Sequence, residues 1–189
     1  MTLLLIGLLI FIGVHSLRIF APAWRGACIA AWGERTWKGV IGVLSIVGFV
    51  LMILGYGQAR QLAGLLWTPP VGLRHAVSLF TLPAFILVVA AYVPGNHFKS
   101  RLGHPMVLGV MLWAFGHLLA KGQTSAVLLF GSLLLWSVLS FRAALRREPP
   151  SRAPASMTRT LLVVAIGAVA WAVFAFYLHA RWIGVAPFA

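Results

Sequence analysis

Residues 90–122 read AAYVPGNHFKSRLGHPMVLGVMLWAFGHLLAKG, an apolar stretch that carries His97, His104 and His117. The part after His104 is apolar enough for a bilayer-crossing helix. Ionisable side chains inside a membrane are costly, and they therefore indicate a functional site by default. Neutral imidazole is also a common ligand of metals and of haem iron. The stretch therefore predicts a membrane helix whose histidines either hold a ligand or complete the packing.

The composition of the whole chain agrees with this interpretation. Of the 189 residues, 61% are hydrophobic and only 9% are charged, and the mean hydropathy is +0.98. A soluble domain carries about 25% charged residues. A bilayer offers no water to unpaired backbone groups, so the spanning segments are expected to be helices. The sequence thus predicts an all-α integral membrane protein.

Six apolar runs are long enough, or nearly long enough, to cross the hydrocarbon core, which needs about 20 residues. They predict a polytopic transmembrane bundle of about six helices, with a five-helix core and an additional, loosely attached C-terminal helix. The predicted division is a transmembrane domain over 1–147, a flexible Pro-rich cytoplasmic linker over 148–159 and a C-terminal helix within 160–189. The runs are Thr2–Phe20, Trp37–Gly57, Ala76–Val93, Pro105–Ala120, Thr124–Phe141 and Thr160–Ala180.

The distribution of basic residues predicts the orientation. The first, third and fifth connections hold eleven of the 15 Lys and Arg residues, which places them in the cytoplasm and both termini outside. These eleven are Arg18, Arg25, Arg35, Lys38, Lys99, Arg101, Arg142, Arg146, Arg147, Arg152 and Arg159. The net charge of +13 is dispersed over connections, without a basic helix interleaved with aromatic residues, and so does not indicate nucleic-acid binding.

Few groups are available for acid–base or thiol chemistry. The chain has only two acids, Glu34 and Glu148, which does not suggest a carboxylate pair for glycosidase or aspartyl-protease chemistry. Glu34 is expected to pair with Arg35, Lys38 or another loop cation. Cys28 is the single cysteine, which rules out an intrachain disulfide.

His15 and His117 are the strongest candidates for a ligand role. His15 lies inside the first apolar run, and Arg18 one turn later shares its helix face and would suit a carboxylate or propionate. His117 follows Gly116, and Gly109 lies two turns earlier. These glycines leave room for either a flat cofactor or a closely packed helix.

The other four histidines have weaker signals. His104 precedes a proline, which suits a helix start, and it lies about 20 Å along the axis and about 140° around it from His117. A structural role is therefore favoured for His104, with cofactor binding as the alternative. His75 starts the third run and is a geometric rival to His15. His97 lies in a Pro-Gly turn, and His179 fits an interfacial position.

Several segments together resemble the NnrU family. They are HSLR (15–18), GERTWKG (33–39), LWTPP (66–70), YVPGNHFK (92–99), LGHPMVLGVMLWAFGHLLAKG (102–122) and LLFGSLLLWSVLSFRA (128–143). The resemblance spans essentially residues 1–147. It implies a multi-pass protein of the bacterial inner membrane, associated with denitrification and nitric oxide metabolism. Denitrification enzymes, or a small apolar or gaseous ligand, are the implied partners, besides membrane lipid.

The chain is more distantly similar to plant 15-cis-ζ-carotene isomerase, a membrane enzyme with haem b. That similarity implies axial ligation of haem iron by His15 and His117. The cysteine of the plant enzyme falls on Ala114 here, so a thiol exchange at the iron is not expected. The His-Pro pair is also found in isoprenylcysteine carboxyl methyltransferases. Their acidic residues are missing from FRAALRREPP (141–150), which argues against methyl transfer.

The predicted spans place the two implied ligands at different depths. At 1.5 Å per residue, His15 lies about 7–8 Å and His117 about 18 Å from the inner ends of their helices. Helix tilt could close the gap of about 10 Å; otherwise His75 replaces His15. Two functions remain: a haem-b protein with redox, isomerase-like or nitric-oxide-related activity, and an accessory or assembly factor for denitrification enzymes without chemistry of its own.

Overall fold

The computed structural model describes residues 1–62 and 64–188, except for the side chains of Val71, Arg74 and His75. Within these ranges the chain is helical, with one isolated antiparallel bridge between Leu65 and Gln123. The all-α prediction is therefore confirmed. The helices are α1 (Thr2–Phe20), α2 (Pro22–Trp32), α3 (Glu34–Leu62), α4 (Val71–Tyr92), α5 (His97–Leu102), α6 (Pro105–Ala120), α7 (Thr124–Arg147) and α8 (Met157–Val173), and α8 continues as a π-helix over Phe174–Ile183.

Each of the six predicted spans corresponds to a helix in the structure, and α2 and α5 are additional short helices. Among the residues that the structure describes, four helical segments are long and apolar enough to cross a membrane: Thr2–Phe20, Glu34–Leu62, Thr124–Arg147 and Met157–Ile183. The apolar segments Ala76–Tyr92 and Pro105–Ala120 are shorter. At 1.5 Å per residue, a 16-residue helix reaches about 24 Å, somewhat less than the hydrocarbon core of about 30 Å.

The chain forms two compact units. Unit 1 consists of Met1–Leu66 with Gln123–Ser132, and unit 2 of Trp67–Gly122 with Leu133–Ala189. This division differs from the sequence-based division at 147 and 159, because the C-terminal helix shares a unit with α4 and α6.

In unit 1, α1 and α3 pack through glycines. A Cβ atom added at Gly7 would lie 2.5 Å from the backbone nitrogen of Met52, and one at Gly48 would lie 2.8 Å from that of Phe11. Gly55 likewise lies against the backbone of Leu4, whose side chain is fully buried. Small residues of this kind allow two membrane helices to approach at backbone distance, which increases their van der Waals contact.

In unit 2, α4 packs against both α6 and α8. A Cβ atom at Gly109 of α6 would lie 2.8 Å from the carbonyl oxygen of Ala84, and one at Gly167 of α8 would lie 2.6 Å from the Cα of Ile86. The indole nitrogen of Trp171 donates a 3.0 Å hydrogen bond to Thr81. The C-terminal helix is thus closely packed on α4, whereas the sequence suggested a loosely attached addition.

The linker after α7 is hydrogen-bonded along its length to the loops around α5. Ser156 donates its backbone N–H to the carbonyl of Gly95 at 2.9 Å, and Arg152 donates its own to Ser100 at 3.1 Å. The Ser100 hydroxyl in turn donates to the carbonyl of Ala153 at 2.6 Å. The Pro and Ser content of the linker suggested flexibility, but these bonds fix its path.

Candidate functional site

His117 lies in the last turn of α6 and is bonded to its own helix. Its Nδ1 is 2.8 Å from the carbonyl oxygen of Trp113, and the two rings lie 4.9 Å apart. A carbonyl oxygen only accepts, so Nδ1 carries the proton of the neutral ring. The lone pair is therefore on Nε2, which is the form of imidazole that ligates a metal.

His15 in α1 repeats this arrangement in the other unit. Its Nδ1 is 2.7 Å from the carbonyl oxygen of Phe11, four residues earlier, and its ring lies 4.3 Å from the Phe11 ring. Arg18 follows one turn later in the same helix and is exposed. Each of the two leading candidates thus donates from Nδ1 and has the lone pair of its neutral ring on Nε2.

A histidine that ligates a metal almost always donates its other ring N–H, often to a backbone carbonyl, which fixes the ring and its tautomer. His15 and His117 both meet this condition. The same bond also satisfies a histidine that has only a packing role, so the geometry supports ligation without requiring it.

His179 adds a candidate that the sequence analysis assigned to the membrane interface. It lies in the π-helical segment, and its Nδ1 is 2.6 Å from the carbonyl oxygen of Val185. It therefore has the same tautomer as His15 and His117. The π-helical conformation of this segment cannot be read from the amino-acid pattern.

His104 and His97 have structural hydrogen bonds. His104 precedes Pro105 at the start of α6, as predicted, and its Nε2 donates to the carbonyl of Glu148 at 2.9 Å. His97 donates both its backbone N–H and Nδ1–H to the Thr160 hydroxyl, at 3.0 and 2.8 Å. His104 thus holds the start of the linker, and His97 holds the start of α8.

The remaining rival ligand, His75, is the fifth residue of α4. Its side chain is outside the described residues, so its suitability as a ligand stays a prediction from the sequence.

The glycines near His117 serve helix packing. A Cβ atom at Gly116 would lie 2.8 Å from the Cβ of Phe80, and Gly109 lies against Ala84. The sequence left open whether these glycines face a flat cofactor or a neighbouring helix. In the structure both glycines face helix α4. A ligand of His117 would have to approach from a side other than the α4 face.

The other sequence candidates lie on the periphery. Glu34 pairs with Lys38 at 2.9 Å, one of the partners expected for it. Both side chains are about two-thirds exposed (67% and 70%), so this pair contributes little to stability. Cys28 is buried as a free thiol. In the described part of the chain, no three His, Cys, Asp or Glu side chains form a metal-binding group.

These features define an all-helical protein with membrane-compatible apolar helices and with histidines held in one tautomer inside them. Residues 3–187 match the family described as NnrU protein, and the chain belongs to that family. The match extends through α8 and so exceeds residues 1–147, to which the recognised motifs were confined. No curated protein and no solved structure matched the chain.

Proposed function

We propose that this NnrU family member is a haem-b-binding membrane protein in which His117 is an axial ligand of the iron. The observation that carries the proposal is the hydrogen bond from His117 Nδ1 to the Trp113 carbonyl, which places the lone pair of the neutral ring on Nε2 inside an apolar helix. The associated role would be redox, isomerase-like or nitric-oxide-related chemistry in denitrification, as the family resemblance implies.

The available donors suit haem better than a bare metal ion. The porphyrin itself supplies four nitrogen ligands, so the protein needs to provide only one or two. Isolated histidines in apolar helices meet this need. When bound, haem would supply an iron whose potential and affinity for diatomic gases depend on its axial ligands and surroundings.

Three histidines are candidates for a second axial position. His15 ranks first because the resemblance to the plant haem enzyme implies it, and Arg18, one turn later in α1, could neutralise a propionate. His75 ranks second, on the sequence argument about depth. His179 is a further candidate because its bond to the Val185 carbonyl gives it the same tautomer, with the lone pair on Nε2.

The alternative is an accessory or assembly factor for denitrification enzymes. It is favoured by the packing of α4 against Gly109 and Gly116, which gives these glycines a structural purpose without a cofactor. In this case the hydrogen bonds of His15 and His117 serve only to satisfy polar groups inside the membrane.

The absorbance spectrum of the purified protein tests the proposal. Full-length protein, expressed with ample haem and purified in mild detergent, should show a Soret band. His117→Gln should abolish the band or lower the coordination number of the iron. His104→Gln is the matched control, because His104 Nε2 already donates to Glu148 and a Gln side chain can donate there instead.

Parallel substitutions at His15, His75 and His179 identify the second ligand, since only the true partner of His117 should convert a six-coordinate spectrum to a five-coordinate one. Wild-type protein without haem under these conditions would refute the proposal and leave the accessory role. A haem spectrum unchanged in His117→Gln would also contradict the assignment.

A further inference from the structure

A basic cleft lies in unit 2, between α5 and the linker that follows α7. It has a volume of about 500 Å³ and is lined by His97, Ser100, Arg101, Arg152, Ala153 and Ala155. None of these residues is acidic. Two guanidinium groups therefore border one cavity without a carboxylate among its lining residues.

The side chains of the neighbouring cations donate hydrogen bonds to backbone carbonyls, and this distinguishes them from the two cleft arginines. The Lys99 ammonium donates to the carbonyl of Ala91 at 2.8 Å, and the Arg159 guanidinium donates to that of Pro94 at 3.1 Å. Among the residues that the structure describes, neither Arg101 nor Arg152 has a side-chain hydrogen bond or ion pair. Both side chains are exposed, and their donors are available to a ligand.

The wall of the cleft is fixed by hydrogen bonds that do not use these donors. Arg152 has a left-handed backbone (φ 50°), uncommon for a residue other than glycine, and its N–H is bonded to Ser100. The Ser100 hydroxyl donates to Ala153, and His97 Nδ1–H donates to Thr160. The ring nitrogen of His97 that stays available is thus Nε2.

We propose that this cleft binds a phosphate group, carried either by a membrane lipid headgroup or by a soluble phosphate compound. Guanidinium groups match the oxygen geometry of phosphate and bind it through paired, charge-assisted hydrogen bonds. A bound dianion or monoanion would also relieve the repulsion between the two arginines. Basic residues in the connections next to membrane helices attract anionic lipid headgroups, and the volume of the cleft is in the range of small-ligand sites.

The test compares a cleft variant with a control that loses the same charge elsewhere. The cleft variant is Arg101→Gln with Arg152→Asn, since Asn tolerates the left-handed backbone at position 152. The control is Arg142→Gln with Arg146→Gln, two exposed positions of α7 outside the cleft. All are full-length proteins in detergent, and thermal unfolding confirms that each is folded.

Three probes distinguish the sources of the phosphate: phosphatidylglycerol, phosphatidylcholine and inorganic pyrophosphate. Native mass spectrometry measures lipid binding, and calorimetry measures pyrophosphate binding. We expect the cleft variant to bind phosphatidylglycerol, pyrophosphate or both at least about tenfold more weakly than wild type, the loss of one or two charge-assisted hydrogen bonds. The control should bind as wild type does.

The pattern of losses identifies the ligand. A loss confined to phosphatidylglycerol assigns a lipid headgroup, and a loss confined to pyrophosphate assigns a soluble phosphate. Equal binding by wild type and cleft variant would overturn the proposal, as would equal losses in the cleft variant and the control. If the double variant does not fold, Arg101→Gln alone is held to the same criteria, with Arg142→Gln as its control.

Discussion

At the scale of single residues, Thr160 organises the start of α8. Its hydroxyl donates to the Ser156 carbonyl at 2.9 Å and accepts from the backbone N–H and the Nδ1–H of His97. One donor and two lone pairs are all that a hydroxyl offers, so Thr160 is fully satisfied. This single side chain therefore links α5, in the third connection, to the end of the fifth connection just before α8.

Replacing Thr160 with valine should therefore destabilise the protein. The variant keeps the shape of the side chain but leaves two donors of His97 unpaired, at a cost of about 1–3 kcal/mol in the free energy of unfolding. Thr158→Val, at an exposed position two residues earlier, is the control and should be close to neutral. Thermal unfolding in detergent compares the two. Equal midpoints would mean that the bonds to His97 add no stability.

The candidate site was only partly predictable at this scale. His15 and His117 could be selected because an ionisable group within an apolar run has few inexpensive explanations. Their tautomers could not, because these depend on which ring nitrogen meets a carbonyl in the folded helix. The same holds for His179, whose bond to Val185 needs the π-helical segment.

At the scale of helices, the lengths of the apolar runs in the sequence predicted most of the structure. The six long helices follow from runs of apolar residues, whereas α2 and α5 are too short to stand out. Their ends do have sequence signals. Pro22 starts α2 and Gly33 ends it at φ 81°, and Asn96 caps α5, which ends at Gly103 with φ 73°. Such start and end signals predict a helix only when the segment between them is itself compatible with a helix.

The α1–α3 contact gives a sharp prediction from two glycines of one helix. A Cβ at Gly7 would meet the α3 backbone at 2.5 Å, whereas a Cβ at Gly13 would have no atom within 4 Å. Gly7→Ala should force the helices apart and lower the free energy of unfolding by about 1–3 kcal/mol. Gly13→Ala should be neutral or slightly stabilising, because alanine favours helix.

Thermal unfolding of both alanine variants in the same detergent provides the measurement. An equal shift of the unfolding midpoint in both variants would show that helix propensity, and not close packing, controls the change in stability. An unchanged midpoint for Gly7→Ala alone would contradict the glycine-mediated contact between α1 and α3.

At the scale of the whole molecule, the role of α8 is the clearest difference from the sequence-based expectation. Its Gly167 lies against Ile86 of α4, Trp171 bonds Thr81, and Val163 is fully buried. The sequence could not show this, because the Pro-rich linker resembles a flexible connection and pairings between distant helices leave no local pattern. The family match through residue 187 also includes this helix.

Truncation after Arg147 should therefore destabilise the remaining protein. It exposes the α4 surface that contacts α8 and removes the bonds between the linker and the α5 loops. We expect lower accumulation in the membrane and a lower unfolding temperature than for the full chain. Undiminished accumulation and stability would instead support a five-helix core with a dispensable C-terminal helix.

The connections between helices pair in a way that bears on membrane topology. The third and fifth connections share the Ser156–Gly95 and Arg152–Ser100 bonds. The second and fourth share the bond from Trp67 N–H to Gly122, at 3.4 Å. Alternating spans would place odd connections on one side and even ones on the other, and both pairings join connections that this alternation assigns to the same side.

The excess of Lys and Arg in the odd connections predicts which side is cytoplasmic. Eleven of the 15 basic residues lie there, so reporter fusions after Arg147 should indicate the cytoplasm, and fusions at Gly122 and at the C-terminus the opposite side. At each position the chain is fused separately to alkaline phosphatase and to a fluorescent protein, two reporters that are active on opposite sides of the membrane. A cytoplasmic C-terminus together with an external Gly122 would require an odd number of spans and contradict six. Reversed signals at all three sites would keep six spans but show that the dispersed arginines do not set the orientation.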